Sequence, residues 1–221
     1  AIENTLNSIA HHWRQPLSVI STIASGMKLK EEIKELKTKD ILISCDKIIF
    51  NTNKLSKTIE NFSNFFGKDE KISSHSLVES VNNVILFCET IFEKNSIVCK
   101  FKHSEDFIIN CNQINFSDSI LNIIDNSIYA LVNNKDKEDR YILINFSNKI
   151  LSIKDSANGI EEEIITKICE PYFTTKHQSF GVGLGLFTVH EFFVRNLNFK
   201  IEFKNEEFEY KNKKLKGLNI N

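Results

Sequence analysis

Ala10-His-His-Trp-Arg-Gln-Pro-Leu-Ser-Val-Ile20 is the stretch on which the reading of this chain turns. It lies inside an apolar periodicity. Ile2, Leu6, Ile9, Trp13, Pro16, Ile20, Ile23 and Met27 recur at alternating spacings of four and three, the seam of a coiled-coil-like helix. Pro16 sits within that helix. It has no N–H to give the carbonyl of His12, and its ring crowds that carbonyl. The helix is therefore distorted beside two histidines, the side chains whose charge changes nearest neutral pH. His11 points away from the seam and His12 lies near its edge. A lone histidine on such a face is usually solvated surface, so the weight falls on what surrounds it.

A second seam follows. Ile41, Cys45, Ile48, Thr52, Leu55, Ile59, Phe62 and Phe66 repeat the same spacing. The charged stretch 28–40 between the two seams must hold a hairpin turn, Gly67 ends the second helix, and Lys68-Asp-Glu-Lys71 reads as a linker. The expected organisation is an all-α hairpin domain over 1–67 and a second domain over 72–221. A two-helix hairpin cannot bury both seams alone. Pairing with a second copy into a four-helix bundle solves this; packing on its own second domain is the other solution.

From about Ser74 the pattern changes. Helices are predicted over 77–92, 113–132 and 184–195. Strands are expected over 97–102, 107–109, 141–146, 150–154, 199–203, 207–211 and 218–220. Helices mixed with antiparallel strands in this order predict a two-layer α/β sandwich.

Composition limits the function. The 221 residues carry a formal net charge of −1, which argues against a general nucleic-acid or anionic-membrane binder. No apolar run approaches the roughly 20 residues needed to span a bilayer, and no signal-peptide pattern opens the chain. The five cysteines are scattered without a Cys-x-x-Cys pair, as expected of buried thiols in a reducing compartment. A cytoplasmic segment without membrane contact follows, any anchoring coming through regions upstream. Four of the seven glycines (Gly159, Gly181, Gly183 and Gly185) crowd one region, where backbone can approach a ligand closely.

Five segments carry the chemistry. His11-x-x-Arg14-x-Pro16 is the first. Leu121-Asn-Ile-Ile-Asp-Asn-Ser127 places the amides of Asn122 and Asn126 on one helical face. An amide oxygen is a hard ligand that suits Mg²⁺. Asp155-Ser-Ala-Asn-Gly159 follows a predicted strand, and Glu170-Pro-Tyr-Phe-Thr-Thr-Lys176 is an aromatic-anchored loop. Gly181-Val-Gly-Leu-Gly-Leu186 opens a predicted helix, the arrangement in which backbone N–H groups meet phosphate. No strand leads directly into it, so a dinucleotide-binding reading fails.

Together and in this order, the segments resemble the phosphoacceptor, N, G1, F and G2 boxes of the bacterial sensor histidine kinases. The resemblance runs over nearly the whole chain. It implies a dimerisation and phosphotransfer hairpin followed by the ATP-binding sandwich shared with gyrase, Hsp90 and MutL. It implies that His11 is phosphorylated from ATP and passes the phosphoryl group to an aspartate on a response regulator receiver domain. Asn126 would hold Mg²⁺ with Asn122 on the same face. Asp155 would accept from the adenine amino group, with Gly159 completing the turn. Lys176 would lie near the phosphates, and Gly181, Gly183, Leu184 and Gly185 would wrap them.

Two positions depart from the family pattern. Ala157 stands where G1 usually has glycine. His12 stands where an acidic residue or glutamine usually follows the acceptor; only a neutral His12 can accept the far N–H of His11. Gln15, one turn on, is where the family often keeps a polar residue that positions water for dephosphorylating the partner. Two other readings remain. In a gyrase- or Hsp90-type ATPase a glutamate acts as base where this chain has Asn122. A non-catalytic nucleotide-binding dimeric scaffold would work by docking alone.

Overall fold

The computed structural model describes residues 2–66, 71–134, 139–176 and 183–221; the side chains of 1–13, 15, 54 and 57–66 lie outside the described residues. The chain divides into two compact units, Ala1–Gly67 and Lys68–Asn221.

The first unit is a helical hairpin of α1 (Ile2–Glu32) and α2 (Thr38–Phe66). The turn falls within the charged stretch, at Lys34 with φ 57°. An ion pair from Lys30 Nζ to Asp40 Oδ2 at 3.2 Å ties the helices beside it. Pro16 is accommodated inside α1 and is buried. Leu17, Leu42, Ile49 and Phe50 are each more than half exposed, so one hairpin leaves much apolar surface in water. The expected helix end at Gly67 and the linker 68–70 lie outside the described residues.

The second unit is a helix layer on a five-stranded sheet, as the α/β sandwich reading expects. Its elements are β1 (Ser73–Ser76), α3 (Leu77–Lys94), β2 (Val98–His103), β3 (Ile108–Cys111), α4 (Gln113–Asn133), β4 (Tyr141–Ser147) and β5 (Ile150–Asp155). After them come α5 (Glu162–Ile165), α6 (Gly185–His190), a π-helical turn (Glu191–Asn196), β6 (Phe203–Tyr210) and β7 (Lys213–Ile220). The sheet order is β2-β4-β5-β7-β6. Among the described residues, β2 and β4 alone run parallel; β1 and β3 form a separate antiparallel pair.

Alternation makes the core. Ile142, Ile144 and Phe146 of β4, Ile153 of β5, and Leu218 and Ile220 of β7 are all buried. They line one sheet face, as a period of two requires. Against them pack Val81, Val84 and Cys88 of α3 and Phe116, Ile120 and Ile124 of α4. Side chains start both long helices. Ser76 Oγ accepts from Glu79 N, and Asn112 Oδ1 accepts from Asn115 N, each at 2.9 Å, satisfying donors that a helix leaves open.

Some boundaries differ from expectation. The segment 199–203 and the piece 207–211 are not separate strands: one strand, Phe203–Tyr210, pairs along its whole length with Lys213–Ile220. Lys211 and Asn212, with φ of 51° and 62°, make the two-residue turn. Both residues in the left-handed region match the twist of a hairpin. Asn148 and Lys149 do the same between β4 and β5. The predicted helix 184–195 is α6 followed by the π-helical turn. β1 was not expected, because Ser-Ser-His-Ser has no apolar alternation; its pairing with β3 makes it a strand.

Candidate nucleotide site

Three successive segments, the end of β5, the loop at Lys176 and the start of α6, meet α4. Asn122 and Asn126 lie one turn apart, and Ser127 follows directly. Each reaches a different segment.

The Asn122 amide faces Gly185, the first residue of α6; a Cβ there would lie 3.5 Å from Asn122 Oδ1. Asn126 Oδ1 accepts from Lys176 Nζ at 2.6 Å, and the ammonium also lies 4.6 Å from the centre of the Tyr129 ring. Ser127 Oγ donates to Asp155 Oδ2 at 3.4 Å. The N-box helix is thus a common wall for the segments resembling G2, F and G1.

Asp155 closes β5 and is buried. Its Oδ1 accepts from Ala157 N at 2.9 Å and from Leu218 N at 3.3 Å. Burial pushes its carboxyl up to about 6, against the pull of those two N–H groups and of Ser127. Among the described residues Oδ2 meets a long contact from the Ser127 hydroxyl, which leaves that oxygen able to accept a further hydrogen bond. β7 passes very close to it. A Cβ on Gly217 would fall 1.7 Å from the Asp155 carbonyl oxygen, so this position admits only glycine.

The loop after Asp155 turns through Asn158 and Gly159, at φ of 69° and 74°. Ala157 is not among the left-handed residues. The methyl found where the family has glycine therefore needs no strained backbone, and Ala157 packs against the core.

The F and G2 segments are joined directly. Tyr172 N donates to the Gly183 carbonyl at 2.8 Å. Gly183 has φ 74°, and a Cβ there would fall 2.5 Å from the Tyr172 carbonyl carbon. Both facts require glycine. Tyr172 itself takes φ 68°, and burial pushes its hydroxyl up to about 12. Leu184 precedes the first turn of α6.

The structure thus brings together Asn122, Asn126, Asp155, Lys176 and Gly185, with Gly159 and Gly183 shaping the adjoining loops. His11, His12 and Gln15 lie on α1, but their side chains are outside the described residues, as is Gly181. Sequence reasoning missed Ser127 and Tyr129. Ser127 was legible as the neighbour of Asn126; nothing in sequence ties Tyr129 to Lys176. Among the described residues no group of three or more His, Cys, Asp and Glu side chains could hold a metal. An Mg²⁺ site here would draw on amide oxygens instead. Asn126 Oδ1 fits that role, since it already takes a cation, the Lys176 ammonium. No helix among the described residues is long and apolar enough to cross a membrane.

Residues 112–217 match the family model described as histidine kinase-, DNA gyrase B- and HSP90-like ATPase. Over 184 residues the chain is 27% identical to sporulation kinase C of Bacillus subtilis, covering 80% of this chain and 40% of that protein. It is 22% identical over 188 residues to the sensor histidine kinase YxdK of the same organism, covering 82% of this chain and 55% of that protein. The chain therefore spans about half the length or less of these relatives. Among solved structures, histidine kinase ThkA in complex with response regulator protein TrrA matches 98% of this chain and 59% of that one. The TM-score is 0.63 at 21% identity. The Acinetobacter baumannii histidine kinase AdeS matches 95% of both chains, with a TM-score of 0.59 at 16% identity. At these identities the likeness is one of fold.

Proposed function

We propose, on the premise that this chain is a catalytic core of the bacterial sensor histidine kinase family, that it phosphorylates itself on His11 from ATP. The phosphoryl group then passes to an aspartate of a response regulator. One observation carries the nucleotide half of the reading: on one stretch of α4 Asn122 faces Gly185, Asn126 bonds Lys176 and Ser127 bonds Asp155, one partner from each nucleotide-box segment. The match of 112–217 to an ATPase family supports ATP as the nucleotide. The ThkA complex, with its regulator bound, supports a receiver domain as the partner class.

Phosphoryl transfer asks little covalent help of the protein; positioning and charge neutralisation do most of the work. The neutral imidazole of His11 attacks the γ-phosphorus in line, the bond to the ADP oxygen breaks, and the imidazolium sheds its remaining proton. Asp155 orients the adenine through Oδ2, the oxygen that carries the long contact from Ser127. Lys176 offers its ammonium to the phosphates, and the glycines at 181, 183 and 185 let backbone approach them. Mg²⁺, when bound, neutralises charge on the phosphates, and Asn126 is the residue that would hold it.

Homodimerisation through the hairpin belongs to the same proposal. Leu17, Leu42, Ile49 and Phe50 are exposed in one copy, and burial in a four-helix bundle would remove them from water. Gln15 is assigned to positioning water for dephosphorylation of the regulator; Gln15→Ala should slow that step and spare autophosphorylation.

The test is incubation with γ-labelled ATP and Mg²⁺, comparing the chain with His11→Gln. Acid-labile label on the parent alone supports the kinase. Phosphate release without protein label supports the ATPase reading, for which Asn122 offers no base. Neither label nor release would leave a docking scaffold.

A further inference from the structure

The loop that follows Asp155 is held from a strand far along the chain. We propose that Asn205, on β6, is a positioning residue for the nucleotide site, fixing the loop 156–160 and through it the carboxyl of Asp155. The proposal rests on the nucleotide reading above and goes beyond it, because Asn205 lies in none of the five segments.

The geometry is that of a missing strand partner. Ile160 N donates to Asn205 Oδ1 at 2.9 Å, and Asn205 Nδ2 donates to the Ile160 carbonyl at 2.7 Å. Both peptide groups of one residue are met by one side-chain amide, which carries the required acceptor and donors. The second Nδ2 proton goes to Glu162 Oε1 at 2.9 Å. β5 has ended at Asp155 and offers Ile160 nothing.

The other end of the loop is held by the same rung of the sheet. Asn205 pairs with Leu218 in the β6–β7 ladder, and Leu218 N is the group that donates to Asp155 Oδ1. Between these two anchors Asn158 N donates to the Lys216 carbonyl at 2.9 Å. The loop is thus fastened at its start, middle and end to one hairpin. Gly159 completes the fit: a Cβ there would lie 2.2 Å from Asn205 Oδ1. Glycine at 159 is therefore required by the approach of Asn205 as well as by its φ. Ala157 can replace a glycine in the same turn because the loop is held by these contacts and keeps its left-handed residues at 158 and 159.

Two variants test this. Asn205→Ala removes the fastening. Asn205→Asp keeps an acceptor for the Ile160 N–H but turns a carboxylate oxygen toward the Ile160 carbonyl and Glu162. In the nucleotide-free chain, Asn205→Ala should speed hydrogen exchange at the amides of Ile160 and Asn158 and leave Ile142 and Ile144 in β4 unchanged. In Asn205→Asp, the KM for ATP and the Kd for ADP should rise roughly tenfold, while kcat at saturating ATP stays near that of the parent. A merely structural role would do the reverse, lowering kcat through a smaller folded fraction at unchanged KM. Adding Glu162→Gln to Asn205→Asp returns a donor opposite the new carboxylate and should recover part of the affinity. Unchanged exchange at Asn158 and Ile160, or unchanged KM with reduced kcat, would overturn the proposal. A parent chain that binds no adenine nucleotide, with the loop still loosened in Asn205→Ala, would instead sink the nucleotide reading and this role with it.

Discussion

Replacing Asp155 by asparagine should stabilise the second unit at neutral pH while removing its affinity for adenine nucleotides. The carboxyl is buried, and burial raises it from its ordinary 3.8 to about 6. Folding therefore favours the protonated form. That contribution is fully present below about pH 4, is lost as pH rises through 4 to 6, and leaves an ionised group in the core at pH 7. At about 1.4 kcal/mol per pH unit, the cost of that ionised group is about 3 kcal/mol. Asparagine avoids it. Its Oδ1 can keep the N–H bonds from Ala157 and Leu218, and its Nδ2 faces Ser127 Oγ, an oxygen able to accept. The expected gap between variant and parent is near zero at pH 4 and about 3 kcal/mol in favour of the variant at pH 7. Urea denaturation at both pH values measures it, with hydrogen exchange of β4 and β5 amides reporting the second unit alone. ADP titration of the same samples should show binding lost in the variant. A variant less stable than the parent at pH 7, or a gap equal at both pH values, would refute the argument.

Further outcomes follow from single contacts. Lys176→Met removes the ammonium from Asn126 Oδ1 and the Tyr129 ring. ADP affinity should fall roughly tenfold or more without Mg²⁺, and less with it, measured by calorimetric titration; equal losses would show that the ammonium and Mg²⁺ do not share that oxygen's surroundings. Gly217→Ala drives a methyl into the Asp155 carbonyl. It should cost about 3 kcal/mol in urea unfolding, the upper end of overpacking costs; an unaltered midpoint would refute the close approach. His12 must be neutral to accept from His11, so autophosphorylation should fall steeply as His12 protonates. His12→Gln should lose that acid limb, and a retained limb would clear His12 of the role.

The sequence was most legible where a periodicity or a spacing stands for a physical arrangement. Two seams foretold two helices, and a helical repeat of 3.6 put Asn122 and Asn126 on one face. It was least legible where tertiary contact does the deciding. Ser73 to Ser76 became a strand only because β3 lies beside it. The hairpin turn at Lys211-Asn212 contains no glycine, so β6 and β7 read as fragments in the sequence, although left-handed φ values at both residues close the turn. Asn205 is invisible for another reason: in a chain rich in asparagine, one more on a strand carries no mark of the peptide it will bind.

The same contrast explains how the site is built. In the proposed reading, the segments resembling family boxes supply the groups that would meet a nucleotide, and two of their loop residues hold costly backbone conformations. Asn158 and Tyr172, neither of them glycine, lie in the left-handed region. Such conformations persist only where the surroundings over-determine them. The surroundings here come from α4 on one side, through Asn122, Asn126 and Ser127, and from the β6–β7 hairpin on the other, through Asn205, Lys216 and Leu218. A substitution in the hairpin should therefore reach the adenine pocket through Asp155, whereas one in the Lys176 loop should act on the phosphates through Asn126. Affinities for adenosine and for ADP, measured side by side on Asn205→Ala and Lys176→Met, separate the two routes. The first variant should weaken both ligands alike, and the second should weaken ADP alone.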